Sequence, residues 1–173
     1  MAATGRGWVG AYNAPRQRFW QRHGGGEAVC GTGLRETSMG SIEQFLEAEH
    51  FAVAGASRDR EKYGNKVLRA LQAHRRDVVA INPKESEVES AVAYASLDVV
   101  PQTVDSLSIV TPPAVTRQIV VDAIAAGVKN VWMQPGAEDP QAVEAARAAG
   151  LNVIADGSCI LVELARLEAG EED

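Results

Sequence analysis

Residues 51–84 read FAVAGASRDREKYGNKVLRALQAHRRDVVAINPK, and the architecture follows from this stretch. Phe51-Ala-Val-Ala-Gly55 is a short apolar run ended by glycine, the pattern of a strand buried on both faces of a parallel sheet. Tyr63 to His74 has helical spacing: Val67, Leu68 and Leu71 share one face, while Lys66, Arg69 and Arg75 lie largely elsewhere. Val78-Val-Ala-Ile81 is a second apolar run, closed by Asn82-Pro83. Strand, helix, strand in this order is a crossover unit, and such units build parallel sheets.

The alternation continues on both sides. Ile42 to Glu49 reads as a short helix with Ser41 as its N-cap. Val92-Ala-Tyr94 is a weak third strand, and Ser96 to Val100 a helical turn. Leu107-Ser-Ile-Val110 is the fourth strand, stopped by Pro112-Pro113. Ala114 to Ala126 is a helix with Val115, Ile119 and Ala123 in phase, ended by Gly127. Val131-Trp-Met133, Pro140 to Ala149, Leu151 to Ala155 and Ser158 to Glu168 complete the series as strand, helix, strand and helix. The expected fold is one α/β domain over 39–173, a Rossmann-like doubly wound parallel sheet with strand order 3-2-1-4-5-6.

Composition agrees with a folded domain. Of 173 residues, 46% are hydrophobic and 23% charged, which excludes wholesale disorder and collagen-like repeats. No apolar run is long enough to span a membrane, so no membrane partner is expected. Two cysteines, Cys30 and Cys159, cannot make a disulfide scaffold, and three histidines form no metal-ligand cluster. A net charge of -6 argues against a nucleic-acid partner.

Residues 1–38 differ from the rest. They hold 8 of the 16 glycines and five arginines against two acids, net +3, with no helical or alternating period. The segment reads as a disordered leader. The preferred reading takes Met39 as the natural start and the leader as an upstream extension. The alternatives are a functional tail and an arginine-rich organelle presequence, although the glycines break the amphipathic helix a presequence needs. From residue 39 onward 12 basic residues face 21 acidic ones, net -9.

Ligands of open parallel sheets sit beyond the carboxyl ends of the strands. Here those ends carry Gly55-Ala56-Ser57, Asn82-Pro83-Lys84, Thr111-Pro112-Pro113, Gln134-Pro135-Gly136 and Asp156-Gly157-Ser158-Cys159. In the first loop Gly55 and Gly64 are nine apart, with Arg58, Arg60 and Lys62 between them. This is not the dinucleotide fingerprint G-x-G-x-x-G, nor the nucleophile elbow. A plain charged connecting loop is the competing reading. At the end of the second strand a nicotinamide-dinucleotide site wants an acid for the ribose hydroxyl; Asn82 stands there, followed by Lys84, which suits a phosphorylated ribose. Eight of the domain's 12 basic residues fall between Arg58 and Lys84 against three acids, a local net of +5. Arg58, Lys62 and Lys84 are the ones placed at the rim. Such a concentration of charge favours a compact polyanion. The prolines after Val110 and Gln134 supply rigid walls.

Phe51-Ala-Val-Ala-Gly-Ala-Ser57, Lys62-Tyr-Gly64, Ile81-Asn-Pro-Lys84, Val110-Thr-Pro-Pro113 and Val131-Trp-Met-Gln-Pro-Gly136, in register, resemble the stand-alone CoA-binding proteins, related to the CoA-binding domain of the succinyl-CoA synthetase alpha subunit. The similarity covers about residues 42–168. It implies a cytoplasmic coenzyme A binder in which Gly55 to Ser57, Lys62, Tyr63, Asn82 to Lys84 and Thr111 to Pro113 line the nucleotide. The sequence departs from the family at Ser90, where glycine is usual, and in the leader.

A phosphorylated ribose explains a cation where a dinucleotide site carries an acid. The synthetase chemistry needs a phosphorylatable histidine. His23, His50 and His74 all fall away from the rim, and Asp156 is its lone carboxylate. The expected function is binding of CoA or an acyl-CoA without catalysis, as a monomer or small homo-oligomer. The alternatives are an NAD(P)-binding module or a redox-responsive protein using Cys159, which lies near the start of the last helix, and a pure interaction protein that keeps the fold without the ligand. A buried small hydrophobe is that cysteine's commoner role.

Overall fold

The computed structural model of the chain describes residues 41–170. The leader read over residues 1–38, and Cys30 with it, lie outside the described residues. The elements are α1 (Ile42–Leu46), β1 (His50–Ala54), α2 (Tyr63–Ala73), β2 (Asp77–Ile81), β3 (Glu87–Val88), β4 (Ala91–Tyr94), a single 3-10 turn (Leu97–Val99), β5 (Ser106–Ile109), α3 (Pro113–Ala125), β6 (Asn130–Met133), α4 (Pro140–Ala148), β7 (Asn152–Ile154) and α5 (Ile160–Gly170).

One seven-stranded sheet holds the strands in the order β3-β4-β2-β1-β5-β6-β7. All neighbours pair in parallel except β3 with β4. The six strands expected from the sequence are all present and follow the expected order. The edge carries one more, the two-residue β3. Its hairpin turns at Glu89 and Ser90, both with positive φ (48° and 65°). Turns of that hand are usually built from glycine or asparagine. Here Glu89 is held from outside: Arg60 grips its carboxylate at 2.6 and 2.9 Å, Asn65 Nδ2 donates to it at 3.0 Å, and Gln72 Nε2 donates to its carbonyl at 2.9 Å. The hydrogen bonds from Arg60 and Asn65 hold its carboxyl at a pKa of about 2.

Alternation along the strands splits the core between two faces. In β1, Phe51 and Val53 join α1, α2 and α5, whose contribution is Phe45, Leu46, Val67, Leu68, Leu71, Ile160 and Leu164. Ala52 and Ala54 face the opposite side, against Val120 and Ala123 of α3 and Ala142 and Ala146 of α4. Trp132 is fully buried on the first side, edge-on to Phe45 with ring centroids 5.2 Å apart. Among the described residues no helix is long and apolar enough to cross a membrane.

Two sequence expectations need correcting. The first helix ends at Leu46, because His50 already pairs with Asp77 in the sheet. In α3 the buried residues are Thr116, Val120 and Ala123, whereas Val115 is 48% exposed and Ile119 only partly covered. The helix carries two apolar stripes, and the phase chosen from sequence mixed them. Val120 and Ala123 lie within the core, Ile119 packs against it from the side, and Val115 stays outside it.

Candidate functional site

The first loop is built around two glycines. Gly55 has φ +90°, and its N–H donates to the carbonyl of Ile81 at 3.0 Å. A Cβ on Gly64 would lie 2.3 Å from the Gly55 carbonyl oxygen. The nine-residue spacing is therefore a single contact: α2 starts directly against the end of β1, and only glycine fits there. No side chain caps α2, and its first turn carries no acid. Its opening N–H groups and the positive end of the helix dipole face the rim, a ready anion site.

Two asparagines hold the loops in place. Asn82 Nδ2 donates to the Ala56 carbonyl at 2.6 Å, while its Oδ1 accepts from the N–H of Lys84 at 2.9 Å. Asn82 thereby ties the glycine loop to the turn that carries Lys84. Asn65, fully buried, donates to the Ser57 carbonyl at 2.8 Å as well as to Glu89. Thr116 does the same for the third loop, its hydroxyl lying 3.0 Å from Thr111 Oγ1 and 3.2 Å from the Thr111 carbonyl. Sequence reading missed Asn65 and Thr116. The available signal was a polar residue at a core-facing helix position.

These loops surround a groove of about 560 Å³. Gly55, Ser57, Lys62, Asn82, Pro83, Lys84, Thr111 and Pro112 line it, together with Glu85. Its other wall is apolar and was not foreseen: Ile81, Leu97, Val115 and Ile119. In α3, Val115 is thus groove wall, and Ile119 is shared between the groove and the core. A neighbouring hollow of about 520 Å³ shares Leu97 and Asp122 with the groove but presents no cation.

The basic cluster divides on inspection. Arg58 pairs with Glu85 at 2.9 Å and donates to the Glu87 carbonyl at 3.0 Å. Arg60 is taken by Glu89, and Arg69 Nε donates to the side-chain Oδ1 of Asn65 at 2.9 Å. Arg76 lies over the Phe51 ring, 5.7 Å from its centroid. Lys62 and Lys84 remain in the groove, without an ion pair to any described residue. Two cations and an uncapped helix start thus face one hollow.

A second group lies farther along the rim. Gln134, at the end of β6, is 1% exposed, and its Oε1 accepts from the Ile160 N–H at 3.0 Å and from the Tyr63 hydroxyl at 3.5 Å. The Tyr63 hydroxyl also meets Cys159 Sγ. Burial first, then the neighbouring Cys159, pushes the Tyr63 hydroxyl pKa up, so it stays protonated. The structure therefore joins Tyr63, Gln134 and Cys159, apart from the groove lining. Ala56 is fully buried, Pro113 opens α3 at the surface, and Pro135 and Gly136 are exposed in the turn before α4.

Residues 49–165 match the family described as CoA binding domain. The chain belongs to this family. The match encloses every loop of the groove. The chain is 33% identical over 91 residues to the alpha subunit of the ADP-forming acetate–CoA ligase II of Pyrococcus furiosus, covering 52% of this chain and 20% of the relative. It thus spans about a fifth of that curated relative. Among solved structures, a conserved hypothetical protein from Pyrococcus furiosus is 36% identical with a TM-score of 0.63, covering 67% of this chain and 99% of the other. A hypothetical protein from Pyrococcus horikoshii is 32% identical with a TM-score of 0.69, covering 72% and 87%. The latter two are about as short as the CoA-binding domain itself.

Proposed function

We propose that this protein binds coenzyme A or an acyl-CoA in the cytoplasm, without catalysis of its own, in the groove at the carboxyl ends of β1, β2 and β5. The observation that carries the reading is the pairing of Lys62 and Lys84 in one hollow with the uncapped start of α2. Coenzyme A offers a diphosphate, a 3′-phosphate and a flat base. Lys62 and the α2 N–H groups suit the diphosphate, Lys84 the ribose phosphate, and the Ile81, Leu97, Val115 and Ile119 wall the base. Hydrogen bonds to charged groups contribute about 1.5–3 kcal/mol each, so three supply much of a micromolar affinity of about 8 kcal/mol.

Asn82 separates this reading from a nicotinamide dinucleotide. Both polar atoms of its amide are engaged within the protein, on Ala56 and on Lys84. That leaves no carboxylate at the position where a ribose diol is usually held. Thermal melting with each nucleotide tests the assignment. Coenzyme A should raise the melting temperature, dephospho-CoA should raise it less, and NADH and NADPH should leave it unchanged. A shift with NADPH equal to that with coenzyme A would overturn the reading.

A further inference from the structure

The amide of Gln134 has one end fixed and the other without a partner. Oε1 must face the Ile160 N–H, because the flipped amide would set two donors against each other. Nε2 is then buried with no hydrogen-bond partner among the described residues. A buried donor left unmade is costly, and a native fold retains one where something else supplies the acceptor. The amide sits among Tyr63, Cys159 and Ile160. Of these four residues Tyr63 is the most exposed, at 36%, and its hold on Gln134 is a long 3.5 Å contact.

This cluster lies next to the groove along the same rim. Lys62 lines the groove, and the next residue is Tyr63. The order β1-β5-β6 puts Gln134 two strands from Gly55, roughly 10 Å at ordinary strand spacing. A flexible arm leaving a diphosphate at the α2 N-terminus crosses that distance.

We infer that Gln134 Nε2, beside Tyr63 and Cys159, is a subsite for the carbonyl oxygen of a CoA thioester, so that the protein selects acyl-CoA over free CoA. The inference rests on the CoA reading above. The Tyr63 hydroxyl holds only Oε1 of Gln134, and weakly, so a shift of the Tyr63 ring leaves Oε1 on the Ile160 N–H and lets the incoming carbonyl accept from Nε2. Free CoA ends in a thiol, a poor acceptor, and leaves Nε2 unpaired.

Isothermal calorimetry on the full chain tests this with three probes: CoA, acetyl-CoA and S-ethyl-CoA. S-ethyl-CoA has nearly the size of acetyl-CoA but lacks the carbonyl. Acetyl-CoA should bind about ten-fold tighter than either of the others. Gln134→Glu keeps the acceptor for Ile160 and removes the donor; the carboxylate it adds acts on both ligands alike, so acetyl-CoA should fall level with S-ethyl-CoA. Equal affinity of the wild-type protein for acetyl-CoA and S-ethyl-CoA overturns the inference, as it would if a structural water served Nε2. That comparison needs no variant and stands even if Gln134→Glu fails to fold. Binding of none of the three would instead overturn the CoA reading, and this inference with it.

Discussion

Replacing Lys84 with alanine tests the groove most directly. Lys84 sits on the turn that Asn82 ties to the glycine loop, faces the hollow, and has no ion pair within the described protein. Its removal should therefore disturb no internal contact beyond the turn. A charge-assisted contact to phosphate contributes about 1.5–3 kcal/mol, and exposure to solvent places Lys84 at the low end. A loss of about 1.5 kcal/mol is roughly ten-fold in affinity. The loss should fall on CoA and not on dephospho-CoA, which lacks the 3′-phosphate. Calorimetric titration of wild type and Lys84→Ala with both ligands gives four affinities and one coupling. Raising the ionic strength should shrink the difference, since a surface charge is screened. Equal losses for the two ligands would refute the assignment of Lys84 to the ribose phosphate, even if binding as a whole fell.

Gly64→Ala drives a Cβ into the Gly55 carbonyl, where 2.3 Å is available, so the loop must shift; a loss of about 1–3 kcal/mol in denaturant melts is expected together with loss of CoA binding. Asn82→Asp replaces the donor to Ala56 with a carboxylate and adds negative charge to a phosphate site; calorimetry should show CoA affinity falling at least ten-fold, with wild-type affinity counting against the latch. Glu89 has a folded pKa of about 2, below its ordinary 4.5. Its contribution is therefore complete above about pH 4.5 and lost as pH falls toward 2. Acid titrations of stability should show Glu89→Gln losing less stability than wild type across that window.

The strands were readable because parallel strands covered on both faces are continuous apolar runs, as in Val78 to Ile81. The groove's polar residues were readable because strand ends fix where a ligand sits. The basic window was misjudged in part. Its partners Glu85, Glu87 and Glu89 lie just beyond Lys84 in sequence, and only the fold of the β3–β4 hairpin brings Glu85 and Glu89 onto Arg58 and Arg60. That hairpin was itself invisible, since its turn residues are glutamate and serine, with Glu89 held by partners 17 to 29 positions away. In α3, Val115 departs from the expected core face for a different reason. Hydrophobic periodicity reports burial, and a ligand wall is as apolar as a core. The donor at Gln134 left no trace in sequence, because a missing partner is a property of three dimensions.

Arg60, Glu89 and Asn65 brace the glycine loop from one side, and Asn82 braces it from the other. A cradle made rigid in advance asks for no induced closure around the phosphates, so little ordering entropy is spent when a guest arrives. Association should then be a single kinetic step, fast and steered by charge. Differences among cargoes would be written in how long each one stays.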